Sequence, residues 1–157
     1  MNIFVLDTDP KKAARCLSNK HCVKMVLESA QMLCNAHPVG VPPYKHTHRN
    51  HPCSVWTRQT TSNYAWLIEH ALELSYEYTR RYKKIHKTQA VIEWCASHVP
   101  EIITGTQTPF VQAMPEKYKK NGDAVAAYRE YYVQEKQKIA KWKPRSTAPK
   151  WWPYQEQ

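Results

Sequence analysis

The alternation of apolar and polar positions divides the chain into helical segments separated by proline-rich joints. Residues 2–6, N-I-F-V-L, are β-prone, yet nothing downstream reads as a strand to pair with them. They are expected as an extended segment lying across the core. D-T-D-P then offers Thr8 or Asp9 as N-cap and Pro10 at the first helical position, starting a short helix to about Leu17. Ser18 or Asn19 caps a second helix that runs to about Ala36, where His37 and Pro38 stop it. From Ser54 a long helical pattern follows, with a break expected at T-T-S-N (60–63). Its apolar face is Trp56, Tyr64, Leu67, Ile68, Ala71, Leu72, Leu74 and Tyr78. Another helix spans roughly Lys87 to His98, and residues 100–115 are irregular enough to fold over a site. Asp123 caps a last helix to about Ala140, with Ala124, Ala127, Tyr128 and Tyr131 on one side. Four to five helices with an extended N-terminal segment make an all-α fold. At 157 residues the chain is expected to be one compact domain, 1–157, ending in an aromatic, basic tail over 141–157.

The segment from Asn19 to Asn35 departs from ordinary amphipathic proportions. His21, Lys24, Glu28, Gln31 and Asn35 recur at spacings of 3, 4, 3 and 4, which is one continuous stripe of a helix. Cys22, Val23, Met25, Val26, Leu27, Ala30, Met32, Leu33 and Cys34 fill nearly all the rest. A surface helix normally shows a limited apolar stripe and a broad polar face. The inverse pattern predicts burial, with an imidazole, an ammonium, a carboxylate and amides converging on one place. Two readings follow: a buried network in which Lys24, Glu28 and His21 satisfy one another, or a site that meets a ligand.

Charge shifts the balance toward the site. Lys and Arg number 23 against 13 acidic residues, a net +10, which points to polyanions and to nucleic acid first. The cations are interleaved with aromatic residues in two stretches, 76–87 and 141–154. In them Arg80, Arg81, Lys83, Lys84, Lys87, Lys141, Lys143, Arg145 and Lys150 are candidates for phosphate contact, and Trp142 and Trp151 for base contact. The same tryptophans could instead clasp the tail to the body. The loop at 37–53 carries Arg49, Asn50 and His51, which with Gln31 and Asn63 are read as substrate contacts.

His46, His48, His51 and Cys53 have zinc-ligand chemistry but no second ligand cluster at a zinc-like spacing, so neither metal nor cofactor is expected. Three glycines leave no glycine-built phosphate cradle. The five cysteines include no C-x-x-C pair and read as buried free thiols without a disulfide partner, in a cytoplasm, the host's if the protein is viral. No apolar run approaches bilayer length, so no membrane partner is expected.

A helix bearing His21 and, seven residues later, Glu28, in N-K-H-C-V-K-M-V-L-E, resembles the phage-type pyrimidine-dimer DNA glycosylases of the endonuclease V type. The stretch N-Y-A-W-L-I-E-H-A-L-E-L-S-Y-E-Y-T-R-R-Y-K-K-I is similar to that family's second long helix, and the aromatic, basic C-terminus is similar too. The resemblance implies a DNA-base glycosylase, with AP-lyase activity, acting on damaged or modified pyrimidines in double-stranded DNA. The chain's first amine would be the nucleophile at the sugar C1′, carried by Met1 or, after its removal, by Asn2. Glu28 would be the catalytic carboxylate and His21 a sugar or phosphate contact. Leu27 and Gln31 stand where the family carries arginines, and Lys24 has no family counterpart; it would be an alternative amine nucleophile or a partner of Glu28. The other function that the residues allow is a non-enzymatic binder, sequestering a nucleotide or other small anion among His21, Lys24, Glu28 and Arg49.

Overall fold

The computed structural model describes residues 1–154, and for Ser146 its backbone alone, so the last three residues of the expected tail lie outside the described residues. Among the described residues there are six α-helices and no strand: α1 Pro10–Cys16, α2 Asn19–Cys34, α3 Pro52–Thr57, α4 Thr61–Tyr82, α5 Gln89–Ser97 and α6 Ala124–Glu135. Single 3₁₀ turns stand at Glu116–Tyr118 and Arg145–Thr147. The all-α class is as expected, with six helices rather than four to five, the long pattern from Ser54 dividing near its expected break into α3 and α4.

Capping chemistry explains most boundaries. The Asp9 carboxylate accepts from the Lys11 and Lys12 amides, with Pro10 in the first turn of α1. His51 Nδ1 accepts from the Cys53 amide at the start of α3. The Thr60 hydroxyl accepts from the Asn63 amide, which moves the break between α3 and α4 to 58–60. Asp123 caps α6 through the Ala126 amide. That helix ends at Glu135 rather than near Ala140; the next residues turn back on themselves, the Ala140 amide donating to the Lys136 carbonyl at 2.8 Å.

Helix α4 is the post of the fold. It packs on α1, α2, α3 and α5, while α2 also meets α3 and α5. Residues 3–6 are buried under these helices, as an extended segment without a ladder. Phe4 holds a left-handed φ of 59°, a costly conformation for a residue with a Cβ. Its ring is wedged against His21, Tyr128, Tyr131 and Tyr132, which fixes it there. The tail closes over the junction of α1 and α2: Trp142 and Trp152 are buried, the Trp142 indole donates to the Cys16 carbonyl, and the Lys141 carbonyl accepts from the Asn19 amide. No helix of the described residues is long and apolar enough to cross a membrane.

Candidate active site

The polar stripe of α2 divides into three parts. At one end, buried Asn35 spends its amide on the Thr47 backbone and the Ser54 hydroxyl, tying the 37–53 loop to the helix. At the other, His21 is buried, stacked on Phe4, and shares a 2.7 Å hydrogen bond with the Tyr132 hydroxyl. Burial, with Lys136 and Lys24 nearby, lowers its pKa to about 4, so it is neutral near pH 7. Only the middle of the stripe reaches the surface.

There Glu28 stands with its carboxylate between two amines. Oε1 accepts from the Asn2 backbone N–H at 3.0 Å and lies 3.4 Å from the Met1 amine, while Oε2 is 3.6 Å from Lys24 Nζ. The Glu28 side chain is 11% exposed and that of Lys24 70%, so the pair opens on one side to solvent. The expected three-way network is therefore a two-way one, with the N-terminal backbone in the place foreseen for His21. Gln31 is half-buried on the next turn.

A clamp formed by distant residues fixes the N-terminal backbone. Asn2 Oδ1 accepts from the amides of Ile3 and Phe4 and from the Tyr128 hydroxyl, and Asn2 Nδ2 donates to the Ala113 carbonyl. The Tyr128 hydroxyl in turn accepts from the Ala113 amide, so one buried phenol holds both residue 2 and the loop over it. Burial pushes that phenol well above its ordinary pKa, so it stays protonated and able to donate.

Beside Met1 lies an open cavity of about 780 Å³, walled by His51, Phe110, Val111 and Met114, with Lys119, Lys120 and Asn121 among its other residues. Its volume falls within the roughly 300–1,000 Å³ common for ligand sites. The irregular stretch at 100–115 thus does cover this region. His51 reaches the cavity with Nδ1 already accepting from Cys53, so its ring proton sits on Nε2. Burial and the nearby N-terminal amine both lower its pKa, favouring the neutral donor.

Other candidate residues are placed differently. Arg49 and Asn50 are exposed in the loop ahead of α3. Asn63 is buried and fully occupied, donating to the Trp56 carbonyl and Thr108 hydroxyl and accepting from the Thr108 amide, so it holds the 100–115 loop rather than facing solvent. Arg81 is buried too: it pairs with Glu77 and donates to the carbonyls of Leu17 and Arg15 at the end of α1. Trp142 is turned inward, and Trp151 is half-buried with the Arg129 guanidinium over its ring.

Lys83, Lys84, Lys87, Lys141, Lys143, Arg145 and Lys150 are exposed. Arg80 and Lys143 share a second cavity of about 520 Å³ with Arg15 and Thr147, where Glu73 and Glu77 orient the Arg80 guanidinium. His46 donates to the His37 carbonyl, His48 bonds Thr47, and among the described residues no cluster of three His, Cys, Asp or Glu side chains is placed to hold a metal.

Sequence reasoning missed Tyr128 and the backbone of 111–113 as parts of the site. The periodicity places the phenol only on one side of the last helix, and nothing local marks its partner 126 residues away.

A family model described as pyrimidine dimer DNA glycosylase matches residues 1–90, which span α1 to α4 and all of Glu28, Lys24 and the N-terminal segment. No curated protein and no solved structure matches the chain significantly.

Proposed function

The chain belongs to the pyrimidine dimer DNA glycosylase family, and from that membership we propose that it cleaves the glycosidic bond of one dimerised pyrimidine through its first amine, the base staying joined to its partner by the cyclobutane ring, with AP-lyase strand cleavage following. The observation that carries the reading is the contact of Glu28 Oε1 with the backbone nitrogens of residues 1 and 2. Whichever of the two is the terminal nitrogen, an amine lies against a carboxylate at the edge of a cavity.

The chemistry follows from that pairing. The free amine's lone pair attacks the deoxyribose C1′ while the glycosidic bond breaks and its electron pair leaves on the base. Glu28 takes up the amine's proton and faces the positive charge that develops at the sugar. Opening of the sugar ring converts the adduct to an imine, which acidifies the C2′ hydrogens and permits elimination of the 3′ phosphate. His51, a neutral Nε2 donor in the same cavity, is suited to a sugar or phosphate oxygen.

The exposed cations support a duplex as the substrate. Arg15, Arg80 and Lys143 border one cavity, and Lys20, Lys24, Lys83, Lys84 and Lys87 stand on or near the outer side of α2 and the end of α4. The reading is tested by glycosidic-bond cleavage, read as alkali-labile sites, and by strand scission on a duplex holding one cyclobutane pyrimidine dimer, beside the same duplex undamaged. Turnover confined to the damaged duplex is expected. Tight binding of a free nucleotide without turnover on any damaged duplex would favour a binder instead.

A further inference from the structure

The outer face of α2 carries two apolar side chains with no part in the chemistry above. At roughly 100° per residue, Lys20, Val23, Lys24, Leu27 and Gln31 share one side of the helix, and Glu28 stands at its edge. The apolar content of this segment predicts burial, and most of it is buried, but Val23 and Leu27 are each 40% exposed. A solitary exposed leucine needs no explanation. This one directly precedes Glu28, lies near the middle of the exposed face, and has Val23 one turn away beside it.

Its surroundings identify the occupant. Lys20 and Lys24 flank the apolar pair on α2. His86 donates to the Val23 carbonyl at 2.9 Å, which fixes the 83–87 loop against this helix, with exposed Lys83, Lys84 and Lys87 and with Ile85 at 70% exposure. An apolar ridge ringed by cations is complementary to a polyanion with an apolar interior, which describes a nucleic acid duplex whose phosphates surround stacked bases.

We propose that Leu27, backed by Val23, is a wedge that enters the base stack of duplex DNA beside the lesion. This rests on the glycosylase reading. The C1′ atom of a stacked nucleotide is shielded within the duplex, and an amine held by a buried clamp cannot travel to it. The duplex must therefore deform toward the amine. Inserted apolar side chains unstack and kink a base step, and they fill the gap that would otherwise collapse. With the wedge next to Glu28 in sequence, the deformation falls where the carboxylate and amine wait.

Single-turnover glycosidic-bond cleavage, read as alkali-labile strand breaks, and 2-aminopurine fluorescence, measured with the full chain on two duplexes, test the proposal. Both duplexes hold the same cyclobutane pyrimidine dimer; one is fully paired, and the other has an abasic gap opposite the lesion, so that its stack is already open. Leu27→Ala is expected to slow glycosidic-bond cleavage about tenfold or more on the paired duplex and to suppress the fluorescence rise there. On the gapped duplex it is expected to stay within about twofold of the unsubstituted protein. Leu27→Met, which keeps a long apolar side chain, is expected to restore the paired substrate. Unchanged cleavage on the paired duplex, or equal slowing on both, overturns the wedge and leaves the glycosylase reading standing. Glycosidic-bond cleavage on neither duplex by the unsubstituted protein overturns that reading, and the wedge with it.

Discussion

The backbone N–H of Asn2 donates to Glu28 Oε1 at 3.0 Å across 26 residues of chain. The same carboxylate takes Lys24 on its other oxygen. Glu28→Gln keeps the shape and removes the charge and the proton acceptor. It is expected to lower the rate of glycosidic-bond cleavage by about 10²-fold or more, the usual scale for a lost general base, while DNA affinity by fluorescence anisotropy stays within a few-fold. A parallel loss of affinity and turnover would assign Glu28 to binding instead.

Tyr128 lies outside the family-matched segment yet holds the Asn2 side chain beside Glu28. Tyr128→Phe deletes one hydroxyl that donates to Asn2 and accepts from Ala113. Unpairing these buried partners is expected to cost about 1–3 kcal/mol of stability by denaturant titration. In kinetics the change should appear in kcat, with KM little altered, because the clamp aligns the amine and does not touch DNA. A change in KM alone would contradict the positioning role.

The contrast between these two residues shows how far the sequence was legible. Glu28 could be singled out because helical periodicity places it on a stripe with Lys24, and the all-α class followed from the same periodicity. Caps at Asp9 and Asp123 were readable because a cap is a contact between near neighbours. Tyr128, Ala113 and Tyr132 were not, since their roles exist only once remote segments meet. Periodicity also misassigned burial at Leu27 and Val23: it reports which residues share a face, and whether that face is covered depends on neighbours elsewhere in the chain. The basic tally misled at Arg81, whose charge is spent inside on Glu77 and on the end of α1.

That difference separates a buried arginine from an exposed lysine of the same expected set. Arg81→Ala would leave the buried Glu77 without one of its two arginines and the Leu17 carbonyl without its donor. A loss of about 3–5 kcal/mol is expected, the scale for breaking a buried pair, seen as a large fall in Tm. Lys143→Ala removes an exposed cation. It should leave Tm nearly unchanged and reduce the slope of log affinity against log salt by about one. Equal effects of the two substitutions on stability would contradict this division.

Two buried histidines make stability fall on the acid side. His21 and His70 are each lowered to about 4 by burial, below the ordinary value of 6.5. The unfolded chain therefore binds more protons than the folded one as pH drops from about 6.5 to about 4, and stability decreases through that window. The combined loss is expected to reach several kcal/mol (roughly 3 for each histidine at most). Urea unfolding at pH 7 and pH 4.5 measures it; a flat profile would mean that both rings accept protons within the fold.

On the proposed mechanism the first amine, held on Glu28, becomes bonded to the sugar. Borohydride reduction during turnover on a dimer-containing duplex, followed by mass mapping of the cross-linked peptide, measures this directly, and the intact mass defines which residue carries the amine. A reduced covalent adduct on the N-terminal peptide, absent in Glu28→Gln, is the predicted result. An adduct on Lys24, or glycosidic-bond cleavage with no trappable adduct at all, would contradict it.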